Sequence, residues 1–319
     1  MTTTLRRQSP VDGFQVSRWF RPVVAGTLVV TAVAAAASPP GWLSAAVVVT
    51  VIAVLGIPHG AVDHLVVEAV DGPVDQGSRR RFVRNYLLAM GGVGLVWLAA
   101  PSLALMVFVA LSVHHFGQSD LAYLRLPDWS QLVLQWSRGL FLVGLPLIAH
   151  VATVAPVIER LGGDDPASWS WLADFRWLWS AVLVLQHLVV GAVVAPGVRD
   201  RNVIGREAVT VATLTVLFLA TDPLIGFAVY FGLWHSLAHL RVLGDLLGTQ
   251  PSPMRSLARL AAPMTAVSLA AIAIVVAGAT IAGRAELLVP LVFVFVSMLT
   301  MPHMVVVERL WRRQPASTG

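Results

Sequence analysis

Apolar positions in this chain neither alternate nor recur along one helical stripe. They run on in blocks about as long as a bilayer is thick, and the polar positions gather between them. A helix needs about 20 apolar residues to cross the hydrocarbon layer. Blocks of that kind fall at 20–38, 42–67, 82–100, 101–121, 132–157, 175–195, 205–221, 223–247, 257–282 and 285–308. Several joins are short and hold proline: Pro39-Pro40-Gly41, Ala100-Pro101 and Thr221-Asp222-Pro223. Proline has no N–H and restricts the residue before it, so each join stops one helix and lets the next run back. The pattern predicts an all-α polytopic membrane protein, a single bundle of about ten transmembrane helices. No linker, low-complexity stretch or internal repeat divides the chain, so residues 1–319 are expected to form one integral membrane domain.

Composition supports the same class. Hydrophobic residues make up 57% of the chain and charged residues 12%, against about 25% charged in a soluble domain; mean hydropathy is +0.76. All 22 basic residues are arginine, and they lie between apolar blocks. That is loop placement, so no nucleic-acid partner is expected. Counted from a cytoplasmic N-terminus, 19 arginines, Arg138 among them, fall on the inner side, and Arg160, Arg176 and Arg284 fall outside. Cytoplasmic loops hold the positive residues, so both termini are expected inside, with a basic leader at 1–19 and a basic tail at 309–319. A multi-pass plasma-membrane protein follows. Arginines, an apolar run and Ala34-Ala35-Ala36-Ala37-Ser38 also resemble a cleavable signal; the long leader favours retention of the first span. There is no cysteine, which excludes disulfides, thiolate ligands and Fe–S clusters.

Nine histidines remain, most of them where a membrane helix should exclude them. Ionisable groups in the hydrocarbon layer usually face a bundle interior, a cavity or a cofactor. At the helical rise, His59, His115, His235, His239 and His303 lie roughly 18–27 Å below the outer ends of their spans, and His187 at roughly 18 Å. His150 falls in the other half of the bilayer. His235 and His239 share one helix face at i and i+4 and can reach one metal. Pro58 frees a carbonyl before His59, Gly60 allows another chain to approach, and Asp63 is placed at i+4 to accept the His59 imidazole N–H. His64 lies about 140° round that helix. His114 and His115 are about 100° apart, so only one should face a common centre, and spacing alone does not choose. Asp120 is off the His115 face unless the helix bends at Gly117. His303, which repeats the Pro-His pattern, reads equally as ligand, supporting group or cavity residue. His187 reads as a core histidine. The residues therefore point to an imidazole metal centre, with Asp63 and Asp120 as the nearby carboxylates from which a buried dication would benefit and His303 open between ligand, support and cavity residue.

Taken together, Pro58-His59-Gly60-Ala61 with Asp63, His115-Phe116-Gly117 with Asp120, Trp234-His235-Ser236 with His239, and Pro302-His303 resemble the Brp/Blh family of membrane β-carotene 15,15'-dioxygenases. The pieces occur in the family's order and span most of the chain. The resemblance implies a non-haem Fe(2+) held by His59, His115, His235 and His239, and it selects His115 over His114. At Gln118 the family would lead one to expect an acidic residue. The implied reaction is oxidative cleavage of β-carotene by O2 to two all-trans-retinal, with no catalytic group beyond the metal centre. Membrane lipid would deliver the substrate, and a retinal-binding rhodopsin would receive the product. Phe116, Trp136, Tyr230, Phe231 and Trp234 are candidates for the substrate cavity, or else core packing. Two competing readings are a di-iron membrane hydroxylase or desaturase, which would need several clustered histidine boxes where this chain has one, and a non-enzymatic transporter or proton/metal relay.

Overall fold

The computed structural model describes residues 18–72, 74–124, 126–162, 170–198, 200–247 and 253–312. Among them there are helices and connections and no strand. In chain order the helices are α1 (Phe20–Ala37), α2 (Gly41–Asp71), α3 (Gln76–Ala99), α4 (Pro101–Asp120) and α5 (Asp128–Ala149). There follow α6 (Val151–Gly162) and the short α7 (Ser170–Asp174), then α8 (Arg176–Gly197) and α9 (Arg201–Ala220). α10 runs without interruption through Pro223–Val229, Tyr230–Ser236 and Leu237–Leu246, and α11 (Pro253–Ile281) and α12 (Leu288–Arg312) complete the chain.

Nine of the ten expected spans are helices long and apolar enough to cross a membrane among the described residues. The exception is α10, and the reason is chemical. His235, Ser236 and His239 lower its hydropathy, which a lipid-facing helix could not tolerate. α10 does not face lipid. Its residues enter three separate apolar clusters: Tyr230 and Trp234 with Phe20, Phe141, Leu214 and Phe218; Leu240 and Leu243 with Val62, Leu257 and Val306; Ala228 and Phe231 with Val48, Ile52 and Val292. It is the axis on which the other helices pack, so protein replaces lipid around its polar groups. α3 and α11 sit at the opposite extreme, with only 6% of their membrane windows buried.

A second difference concerns the expected span 132–157, which is broken at His150 (φ −117°, ψ 29°). The His150 imidazole Nε2 meets the Phe218 carbonyl at 2.8 Å. Helix starts follow short-range rules. Asp75 and Asp222 accept hydrogen bonds from the Ser78 and Leu224 amides, which satisfies otherwise unpaired first-turn donors.

Three helices widen into a π-helical turn, at Ile52–Gly56 in α2, Leu140–Gly144 in α5 and Tyr230–Ser236 in α10. In α2 and α5 the turn precedes Pro58 and Pro146. Proline cannot donate to the carbonyl four residues back and crowds it, and the wider turn absorbs both problems. The α2 and α10 turns face each other. A side chain on Gly56 would come within 2.6 Å of the Phe231 ring, and one on Gly232 within 2.8 Å of Val51. α4 and α5 cross still more closely: a Cβ on Gly117 would overlap the Gln135 carbonyl, and one on Gly139 the Val113 carbonyl. The α2–α10 glycines bring together two of the helices that carry the histidines, and Gly117 and Gly139 seat α4, which carries His115, on α5. Gly60, expected to serve that purpose, has only an ordinary contact at 3.6 Å with His303.

Candidate metal centre

His59 of α2, His115 of α4, His235 and His239 of α10 and His303 of α12 meet inside the bundle, and all five are buried. Their rings form a closed circuit. His59 to His239 is 5.6 Å between centroids, His239 to His303 5.6 Å, and His303 to His115 5.5 Å. The circuit closes through His115 to His235 at 5.0 Å and His235 to His59 at 5.4 Å. A diagonal, His59 to His303, is the shortest spacing at 4.8 Å. The shared depth inferred from the sequence is therefore realised as contact. Phe116 stands edge-on to His235 at 4.9 Å and Phe231 stacks on it at 5.6 Å, which shields the centre from water.

The rings suit a metal by spacing. With a metal–nitrogen bond of about 2.1 Å, two imidazoles on one metal have centroids roughly 4.6 Å apart at right angles and roughly 6.5 Å apart when opposed. The circuit spacings lie between these limits. Among the described residues, however, no group of three or more His, Asp or Glu side chains already has its ligating atoms gathered at metal-binding geometry. The donor chemistry points the same way as the spacing. His115 Nδ1 and His303 Nε2 are buried without a hydrogen-bond partner, which is costly unless something fills that role.

Asp63 supports the cluster, but through a different histidine from the one expected. Its carboxylate meets His303 Nδ1 at 2.9 and 3.0 Å, and Tyr86 donates its hydroxyl to Asp63 at 3.1 Å. His59 Nδ1 lies instead 3.4 Å from its own helix's Leu55 carbonyl. The i+4 spacing of His59 and Asp63 on an ideal helix is disturbed because the helix turns at Ala61 and Val62 before restarting at Asp63. His303, ambiguous in the sequence, sits inside the circuit. Tyr86 was not foreseen. Its signal was the scarcity of tyrosine, three in the chain against 12 phenylalanines, because a tyrosine in an apolar helix needs a partner for its hydroxyl.

Asp120 is not part of this centre. It pairs with Arg138 at 2.9 Å, and Arg138 also pairs with Glu207. Tyr123, in the connection after α4, donates to Glu207; burial, then the Glu207 charge, pushes its phenol well above the ordinary range. Arg138, counted above among inner-side loop arginines, is fully buried inside α5. Gln118 donates to Glu308, so an acid does lie near that position, supplied by α12. His187 is the core histidine expected: its Nδ1 meets Ser137 Oγ at 2.9 Å and its ring stacks on Phe141. His114 tilts against Trp136 at 5.6 Å, off the circuit.

A cavity of about 1380 Å³ opens beside the histidines. His59, His115, His235 and His303 line it; His239 does not, and lies behind them. Of the five candidate cavity residues, Phe116, Trp136, Tyr230 and Phe231 line it. Trp234 points the other way, with its Nε1 donating to Thr27 Oγ1 at 3.0 Å and its ring edge-on to Phe20. It is core packing: one residue from His235, it is turned about 100° round the helix, onto the Thr27 and Phe20 side.

Fold and site together define a polytopic all-helical membrane protein with a buried polyimidazole centre on an apolar cavity. Residues 50–311 match the family described as Beta-carotene 15,15'-dioxygenase, and the chain belongs to that family. It is 30% identical to the "Probable beta-carotene 15,15'-dioxygenase Blh" of Halobacterium salinarum, covering 82% of this chain and 82% of that protein. It is 25% identical to the "Beta-carotene 15,15'-dioxygenase" of an uncultured marine bacterium, 66A03, covering 85% of this chain and 94% of that protein. No solved structure matches.

Proposed function

We propose that this chain, as a carotenoid-cleaving dioxygenase, splits β-carotene at its central 15,15' double bond with O2 to give two all-trans-retinal, on an Fe(2+) held by His59, His115, His235 and His239. Family membership supports the substrate and the bond. The observation that carries the site is the circuit of buried imidazoles on the wall of an apolar cavity. Imidazole suits iron as well as zinc, copper and nickel; iron is the one the family resemblance implies, and it fits an oxygen-using reaction. When bound, iron would supply the redox chemistry that joins O2 to the alkene.

The protein's own part is binding, orientation and exclusion of water. Four of the imidazoles face the cavity, so a hydrocarbon lying in it passes directly beside them. Phe116 and Phe231 keep that wall dry. Asp63 brings one buried carboxylate to a centre whose ligands are otherwise neutral, which offsets part of the charge of a dication. The substrate is itself a bilayer solute. Met106, Trp136 and Leu140 line the cavity and are also exposed on the outside of the bundle, which supports sideways entry of the substrate from lipid. A plasma-membrane location fits this route.

The test is expression in a bacterium that accumulates β-carotene, with pigment and retinal quantified with and without air. Pigment loss with retinal gain, in air only, is expected. Unchanged pigment in cells that hold the folded protein would refute the proposal.

A further inference from the structure

The closed circuit needs a histidine beyond the four just assigned, and that residue is also the best supported of the five. Without His303, His115 and His239 are linked only through His235 and His59. His303 is close to three of the other rings at once, at 4.8, 5.5 and 5.6 Å. Its Nδ1 is engaged by the Asp63 carboxylate at 2.9 Å, and Tyr86 fixes that carboxylate from its other side at 3.1 Å. An imidazole that donates Nδ1–H to a carboxylate must present the Nε2 lone pair. That Nε2 is buried and has no hydrogen-bond partner.

A carboxylate behind an imidazole is the arrangement that orients metal-ligating histidines and raises their basicity. Of the five histidines, His303 alone has such a carboxylate within hydrogen-bond distance among the described residues; His59 has a distant carbonyl. A residue serving only as support for another imidazole ligand would accept that ligand's free ring N–H. His303 spends its Nδ1 on Asp63, and its Nε2 accepts no such hydrogen bond.

We infer that His303 is a fifth metal-binding imidazole, with Asp63 and Tyr86 as the positioning residues behind it. The inference rests on the iron reading proposed above and extends it. Five imidazoles would leave an iron of six coordination one open position for its oxygen chemistry, and the cavity wall would hold the polyene, which has no donor atom.

The experiment uses the full chain, loaded with Fe(2+) anaerobically in detergent, and reads the imidazole count by X-ray absorption together with iron affinity. Wild type is expected to show five imidazoles and His303→Ala four, with iron held about 10–100-fold more weakly. Free imidazole should restore the wild-type spectrum of His303→Ala by entering the vacated space. Asp63→Asn should keep five imidazoles and lose about 10-fold in iron retention. If His303→Ala does not fold, His303→Gln, which keeps most of the bulk, gives the same reading through its lower count. An iron-replete wild type with four imidazoles, or a His303 variant with unchanged count and affinity, overturns the inference and leaves the four-histidine reading standing. A folded wild type that takes up no iron overturns both.

Discussion

Arg138 and His303 are both buried polar side chains in a helical bundle, yet their surroundings differ. Arg138 lies between Asp120 and Glu207, with side-chain exposures of 0, 4 and 18% in that order. One guanidinium is shared by two carboxylates, and the group ties together α4, α5 and α9. His303 has one carboxylate on one nitrogen and no hydrogen-bond partner on the other, and its ring neighbours are three more imidazoles, of which His59 and His115 line the cavity. In the first cluster every charged group has a partner of opposite sign. The second holds two buried imidazole nitrogens, His115 Nδ1 and His303 Nε2, that no protein group meets. In a low-dielectric interior, unmet polar atoms are expensive, so the incomplete cluster is the one that points to a ligand.

The largest effect should come from breaking the incomplete cluster. Alanine at His59, His115, His235 or His239 should abolish retinal formation in β-carotene-accumulating cells while the protein still reaches the membrane. Retinal production by all four variants would remove the distinction between the clusters.

Next in size is the Arg138 cluster, where the loss should be one of stability. Arg138→Met leaves two buried carboxylates without a cation, a change of about 3–5 kcal/mol. It should appear as a lower thermal midpoint in detergent and less folded protein. Replacing Arg138, Asp120 and Glu207 together with leucine should recover much of that stability, and the surviving protein should make retinal at a normal rate per folded chain. A triple variant that folds but makes no retinal would show that this cluster, too, serves the reaction.

Tyr86→Phe should have a smaller effect. It removes one hydrogen bond to Asp63, worth about 1 kcal/mol, and should loosen iron retention a few-fold with the fold intact. His114→Ala should be smallest. That ring tilts against Trp136, away from the circuit, and retinal yield should stay within about two-fold of wild type, as for most substitutions away from a packed core. A dead His114→Ala beside an active His115→Ala would mean that α4 turns the other face inward.

What the sequence made legible was whatever one helix can show by itself. His235 and His239 share a face by spacing alone, and the ten apolar blocks correspond to helical segments, because length and hydropathy are local properties. Partners distant in the chain were not legible. Asp63 has a nearby histidine at i+4, yet its actual partner lies 240 residues away, and no spacing rule reaches that far. Asp120 was grouped with the histidines by proximity in sequence, whereas Arg138, on the next helix, was read as a loop arginine. Trp234 adjoins a site histidine, but helical rotation sends it to the Phe20 side. The low hydropathy of α10 was a usable signal: a span too polar for lipid belongs at the centre.

The central claim is that the imidazole circuit holds the iron that carotene cleavage needs. His239 tests it most directly, because it joins the circuit through His59 and His303 but does not line the cavity, so its loss cannot act through substrate contact. The measurement is iron per chain together with retinal formed per chain, on purified wild type and His239→Ala matched for folding. One iron and steady retinal formation in wild type, with both lost in the variant, is the predicted result. Retinal formation by iron-free wild type, or by a His239→Ala protein at the wild-type rate, would contradict it.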